Sequence, residues 1–210
     1  MTTLSQWIKV CGVTSAHDAT IVVDAGADAL GLIFATQSKR FVNDANVEGI
    51  LRAGTSLTCV GVFKDRSEED ILSIVDTWAL GTVQLHDEPT SVLLDHLRQR
   101  EVAVIRALAA SSLTDTYDET RYRALLVDAA EPGSGERFEW DTFRPRALSV
   151  PLIVAGGLTP ENVAMCITTL GPDGVDVASG TEARPGVKDH EKVAKFISQA
   201  RTAWTRRGDA

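Results

Sequence analysis

The chain has 210 residues, 44% of them hydrophobic and 24% charged, with a formal net charge of −8 at pH 7. That composition suits a globular chain with a sizeable core, and the acidic balance argues against a sequence-independent grip on nucleic acid, which needs a basic face. No run approaches the ~20 apolar residues that span a bilayer, and "MTTLSQWIKV" lacks a basic start followed by an apolar h-region, so the expectation is a cytoplasmic protein without a membrane partner.

Along the chain, short β-branched runs alternate with segments of helical period. Residues 7–11 read as a strand, followed by Thr14 at the head of "SAHDATIVVDAG" as a helix start, with Gly26 in a capping position. A second strand is predicted over 29–34 and a third over 58–63. The helix after the third opens at Ser67, with Asp70 three residues on, in the manner of a capping box. Strands four and five are predicted over 82–85 and 103–107, and strand six over 124–128. The helices after strands five and six are the weakest, because "SSLTDTYDETRYR" is polar and "WDTFRPRAL" is short and interrupted by Pro145. A seventh strand over 152–155 leads to Gly156 and Gly157, then to a helix predicted to begin at Thr159 and Pro160. In that helix Val163, Cys166, Ile167 and Leu170 form one apolar face, and Gly171 caps its end. The eighth strand is predicted over 174–178.

Eight units in 210 residues average about 26 residues each, close to the minimum for a (β/α)8 TIM barrel. The reading is therefore a single α/β barrel domain over 1–210, with an open doubly wound sheet as the structural alternative.

Three cysteines, far apart and odd in number, without a C-x-x-C pair or clustered histidines, make neither a disulfide frame nor a zinc site. In a barrel the active site lies at the C-terminal strand ends, which directs attention to Cys11. Strand alternation puts Lys9 and Cys11 on one face and Ile8 and Val10 on the other. An ammonium beside the thiol favours thiolate, making Cys11 a candidate base or nucleophile, while a lone cysteine also serves as a small core hydrophobe. Cys59 and Cys166 lack that setting and read as core. Asp128, closing the apolar run "ALLVD", is either a cap or a carboxyl with a raised pKa. The glycine-containing "AAEPGSGERFEW" after it suits a substrate cover.

Gln84 and His86 form a further pair at strand spacing, where a histidine is either structural or a ligand contact. Arg40, in "ATQSKRFVN", is either a solvated charge or a fork for a carboxylate. Gly156-Gly157 and Ser179-Gly180 end consecutive late strands in small residues, so backbone N–H groups can approach an anion. Phosphate sites of such barrels commonly follow strands seven and eight.

With these residues assembled, the chain resembles the phosphoribosylanthranilate isomerase family. The resemblance runs nearly the whole length through "IKVCGVT", "DAGADALGLIFATQSKRFV", "VGVFKD", "VQLHDE", "VIRAL", "LLVDA", "GSGERFEW", "PLIVAGGLTPENV" and "GVDVASGTEARPGVKD". It implies an aldose-ketose isomerase of tryptophan biosynthesis performing an Amadori rearrangement of N-(5-phosphoribosyl)anthranilate, without metal or redox cofactor. It further implies Cys11 as general base and Asp128 as general acid. Gly156, Gly157, Ser179 and Gly180 would hold the substrate phosphate and Arg40 its carboxylate, with Gln84 and His86 as ligand contacts. The small phosphorylated substrate is the expected partner, and the protein is expected as a monomer or homodimer.

Lys39, Asp87, Pro132 and Ala178 depart from the family pattern. Lys39 replaces a proline whose loss is expected to loosen the loop before Arg40. Two alternatives stay open: another phosphosugar isomerase of the same fold, such as one that also takes a bisphosphorylated substrate, and a non-catalytic barrel that binds a phosphorylated ligand. The third and fourth strand ends carry no second glycine pair for another phosphate, and a binding module has no need of Cys11 or Asp128.

Overall fold

A computed structural model describes residues 4–110, 119–128 and 148–208. Eight parallel strands close into a barrel in the order β1 to β8. They are β1 (Trp7–Cys11), β2 (Ala29–Ile33), β3 (Thr58–Phe63), β4 (Thr82–Leu85), β5 (Ala103–Ala109), β6 (Ala124–Asp128), β7 (Leu152–Ala155) and β8 (Gly174–Val177). The helices are α1 (Ala16–Asp24), α2 (Asp44–Ala53), α3 (Glu68–Trp78), α4 (Ser91–Gln99), α5 (Val163–Leu170) and α6 (His190–Gly208), with a short antiparallel pair, β9 (Glu182–Arg184) and β10 (Val187–Lys188), before α6. The closed ring rules out the open doubly wound alternative. Closure comes from β1 pairing with β8, which sets Lys9 beside Asp176.

Alternation sorts side chains into two cores. Ile8, Val10, Leu30, Leu32, Val83, Leu125, Val127, Val154 and Val175 point outward and pack under the helices with residues such as Val47, Ile50, Leu97, Val163 and Phe196. Trp7, Cys11, Ala29, Val60, Val62, Ile105, Ala107, Ala124, Leu126, Ile153 and Ala155 fill the barrel itself. Fully burying one large aliphatic side chain contributes about 1.5–3 kcal/mol, so the outer layer supplies most of the cohesion and the inner layer can accommodate polar residues at the rim.

The strand expectations hold with small shifts: β2 ends at Ile33, β5 continues to Ala109, and β8 ends at Val177. Helix starts differ where a neighbour claims the expected cap. Thr14 donates its hydroxyl to the Gly186 carbonyl at 2.5 Å, and Ser15 caps α1 by accepting from the Asp18 amide. Ser67 caps α3 as expected, accepting from the Asp70 amide. The α5 helix begins at Val163 instead of Thr159. Asn162 Oδ1 accepts from the Thr159 amide at 2.7 Å while Asn162 Nδ2 donates to the Gly157 carbonyl, and these bonds hold the intervening residues as a turn. Gly26 and Gly171 take φ of 83° and 61°, the left-handed conformation expected of them. After β5 only a 3-10 turn, Glu119–Arg121, is described. The weak helix after β6 and the whole "AAEPGSGERFEW" segment, Pro132 included, lie outside the described residues.

Candidate active site

Lys9 and Cys11 face the barrel interior at the C-terminal end of β1, where Lys9 has no solvent exposure and Cys11 is 5% exposed. The space they occupy depends on β2. A Cβ on Gly31 would come within 2.7 Å of Cys11 Sγ and 3.1 Å of Lys9 Cε. The Lys9 ammonium donates to Asp176 Oδ2 at 2.9 Å, a buried ion pair across the closing seam. Burial works against that ammonium, but Asp176 and Cys11 outweigh it and hold it above the usual lysine range.

For the thiol the balance goes the other way. Burial pushes Cys11 up, Lys9 pulls it down, Asp176 pushes it up again, and the net shift is upward. The expected thiolate favoured by Lys9 is therefore not the resting state: the charge of Lys9 is already committed to Asp176. Cys166 is a fully buried core residue as expected, whereas Cys59 is only half-buried at the edge of that core; burial pushes their thiols up to about 12 and about 11.

Asp128 ends β6 on the same alternation as Ala124 and Leu126, aligned with Ala109 of β5 and Ala155 of β7. It is half-buried at the rim. Gln84 is buried, and its Nε2 lies 3.0 Å from His86 Nε2. With the amide nitrogen donating, His86 carries its proton on Nδ1. Burial, helped by the Lys9 charge, lowers the His86 pKa to about 4, so the ring is neutral at pH 7. Gln84 Oε1 and Asp176 Oδ1 are buried without a hydrogen-bond partner among the described residues. Beneath this pair, Arg106 Nη1 donates to the carbonyls of Leu85, His86 and Ala107 and bonds the end of β4 to β5.

The two glycine turns meet on one rim. Gly156 and Gly157 follow β7 with φ of 86° and 63°, and Ser179–Thr181 forms a 3-10 turn after β8. A Cβ on Gly180 would sit 1.9 Å from the Leu158 carbonyl oxygen. Only glycine lets the second turn lie against the first. Because β7 and β8 stand between β6 and β1 in the barrel order, this paired turn lies between Asp128 and Cys11.

Arg40 stands where sequence alternatives were a solvated charge or a carboxylate fork, and it is neither free nor simply solvated. Its Nε and Nη2 donate to the two oxygens of Glu182 at 2.6 and 2.8 Å. Burial alone would raise the Glu182 carboxyl, but Arg40 and Lys188 outweigh it and hold it below the usual carboxylate range. In the loop before Arg40, where Lys39 stands, Ser38 accepts the Arg40 amide on its hydroxyl and the Phe41 amide on its carbonyl. Asp87, another departure, accepts the Asp65 amide at 2.6 Å and ties the fourth loop to the third.

Asp176, Glu182 and Lys188 were missed from sequence. Each had a signal, since Asp176 alternates inward with Gly174 and Ala178, and "TEARPGVKD" concentrates charge after a phosphate-type turn. Lys188 Nζ donates to the carbonyls of Cys11 at 2.7 Å and Ala178 at 3.1 Å.

The family model for N-(5'phosphoribosyl)anthranilate (PRA) isomerase matches residues 8–199. The N-(5'-phosphoribosyl)anthranilate isomerase of Geobacter sp. (strain M21) is 36% identical over 199 residues, covering 92% of this chain and 97% of the relative. Among solved structures, TrpF from Jonesia denitrificans superposes with a TM-score of 0.83 at 32% identity, over 94% of this chain and 98% of that one. A phosphoribosyl anthranilate isomerase in complex with reduced 1-(o-carboxyphenylamino)-1-deoxyribulose 5-phosphate is also 32% identical, with a TM-score of 0.72 over 93% of this chain and 98% of that one. Sequence similarity of this extent, on a closed barrel whose cysteine, aspartate and paired turns share one rim, makes this chain a member of the N-(5'-phosphoribosyl)anthranilate isomerase family.

Proposed function

We propose that this chain, as one barrel domain over 1–210, catalyses the Amadori rearrangement of N-(5-phosphoribosyl)anthranilate to 1-(2-carboxyphenylamino)-1-deoxyribulose 5-phosphate in tryptophan biosynthesis. The observation that carries the reading is the placement of Cys11 and Asp128 at the rim, three strands apart, with the glycine turns of β7 and β8 between them. A sugar phosphate anchored at that turn reaches the base on one side and the acid on the other.

Asp128, protonated, gives its proton to the furanose oxygen as the C1′–O bond breaks, and nitrogen forms an iminium with C1′. Cys11, as thiolate, takes the C2′ proton. The electron pair moves into C1′=C2′ and neutralises the iminium. The enolamine then loses its O2′ proton and gains one at C1′, so the product is an isomer of the substrate and no oxidant or reductant enters. Each proton transfer by a positioned group typically contributes about 10²–10⁴-fold.

The remaining residues bind. Backbone amides of Gly156, Gly157, Ser179 and Gly180 hold the phosphate, which fixes the reacting carbons against their partners. Arg40 meets the anthranilate carboxylate. Neutral His86 and Gln84 contact the ligand through hydrogen bonds, and His86 takes no part as an acid at neutral pH because its pKa lies near 4. A small phosphorylated molecule is thus the partner, the protein being a monomer or homodimer in the cytoplasm. No helix among the described residues is long and apolar enough to cross a membrane.

The test supplies freshly made substrate and follows loss of its anthranilate fluorescence with wild type, Cys11→Ala and Asp128→Ala. Both variants should fall by about 10²-fold or more while still binding the reduced product analogue. Equal rates for all three would remove both groups from the chemistry.

A further inference from the structure

Three charged residues outside the proton-transfer pair form a connected cluster at the rim of β1 and β8. Glu182 is its centre. Its side chain is 4% exposed, and it receives Arg40 through two hydrogen bonds, the Gly186 amide at 3.3 Å and the Lys188 ammonium at 3.5 Å. Lys188 in turn donates to the Cys11 carbonyl. The stem of Arg40 rests on Gly12, directly after Cys11: a Cβ there would come within 2.6 Å of Arg40 Cδ. Gly12 has φ of 75°, so the backbone beneath the arginine turns sharply at the end of the base-bearing strand.

The geometry restricts what Arg40 can offer. A guanidinium has two edges that match a carboxylate, the Nε–Nη2 side and the end formed by Nη1 and Nη2. Glu182 takes the first with both oxygens. The end-on fork is the edge left for a ligand, on a side chain that keeps 24% of its surface exposed. A long, flexible arginine on a loop would ordinarily lose rotamer entropy on meeting a ligand. Here the ion pair with Glu182 has already fixed it.

We propose that Glu182 is a positioning residue that aims the end-on fork of Arg40 at the substrate carboxylate and, through Lys188, keeps that fork in register with Cys11. The inference rests on the assignment of Arg40 made above and adds to it the residue that makes the arginine selective. Glu182 touches no reacting atom. Its effect appears in recognition of the carboxylate and leaves proton transfer nearly unchanged.

The experiment compares two ligands by calorimetry: reduced 1-(o-carboxyphenylamino)-1-deoxyribulose 5-phosphate and the same compound lacking its carboxylate. Wild type should prefer the carboxylated ligand. Glu182→Gln, which keeps the shape and removes the charge, should lose about 10- to 100-fold in affinity for the carboxylated ligand, the range of one charge-assisted contact. Its affinity for the other ligand should stay near wild type, which also reports that the site is folded. In turnover the loss should fall on KM, with kcat little changed. Arg40→Met should show the same selective loss, and the Arg40→Met, Glu182→Gln double variant should be no worse than Arg40→Met alone.

Equal weakening of both ligands by Glu182→Gln, or its failure to fold, makes Glu182 a structural anchor and overturns the proposal. Tighter binding of the carboxylated ligand overturns it too, since Glu182 would then be a competitor for the fork. A further selective loss in the double variant does the same. If wild type fails to distinguish the two ligands, the assignment of Arg40 itself falls. That result differs from a wild type that discriminates and a Glu182→Gln variant that still does, which removes Glu182 alone.

Discussion

Lys9 is fully buried and bonded to Asp176 at 2.9 Å, so replacing Asp176 by Asn should expose what that carboxylate offsets. At an effective dielectric of about 20, unit charges at this separation attract by about 6 kcal/mol. Desolvation consumes part of that gain, and removal of one partner from a buried pair typically costs about 3–5 kcal/mol because a charge is left uncompensated. For a chain of this size that corresponds to a fall in Tm of roughly 6–20 °C. The cost depends on pH, with a sign that can be worked out. In wild type the folded-state pKa of Lys9 is raised, so its contribution is fully present below the unfolded value of about 10.4 and is lost as pH rises through the folded value. In Asp176→Asn, burial dominates and the folded value drops below the unfolded one. The unfolded state then binds more protons, and the deficit against wild type shrinks as pH approaches 10. Urea unfolding of both proteins at pH 7 and pH 9.5 measures this. A paired replacement, Lys9→Met with Asp176→Leu, should recover most of the loss. A deficit under about 1 kcal/mol at pH 7, or one that grows with pH, would refute the reasoning.

If the two glycine turns hold the substrate phosphate as proposed, Gly180→Ala should raise KM more than it lowers kcat, because a Cβ 1.9 Å from the Leu158 carbonyl oxygen forces those turns apart; steady-state kinetics and affinity for inorganic phosphate check it. The raised Cys11 pKa means less thiolate at neutral pH, so wild-type kcat/KM should climb with pH, by up to about tenfold per unit over the range in which Asp128 keeps its proton. Lys9→Met, by removing the downward pull, should move the alkaline inflection still higher, and an unchanged profile would separate Lys9 from the thiol. Gly31→Ala should cost about 1–3 kcal/mol of stability through overpacking. It should also depress kcat, since the added methyl meets Cys11 Sγ at 2.7 Å; thermal unfolding and kinetics on one preparation measure both.

Period-two alternation is a local property of the chain, and it was enough to find the strands and to put Lys9 and Cys11, Leu126 and Asp128, and Gln84 and His86 on inward faces. Turn chemistry is local as well, which is why the glycine pair and the Ser-Gly turn stood out before any coordinates. Cap identity was legible only where no distant group competed. Ser67 kept its role, whereas Thr14 was drawn to Gly186, 172 residues away. Burial and pairing of charge depend on closure of the barrel, and no window of sequence contains that. Lys9 beside Cys11 reads as an activator of the thiol until β8 brings Asp176 across 167 residues to take its charge. Likewise Arg40 reads as an unclaimed cation until β9 brings Glu182 from 142 residues away. The sequence by itself determined which groups face the interior and which backbone turns at the rim. Tertiary structure decided which charges are already spent and which remain for a ligand, because electrostatic balance inside a barrel is summed over neighbours from strands far apart in the chain.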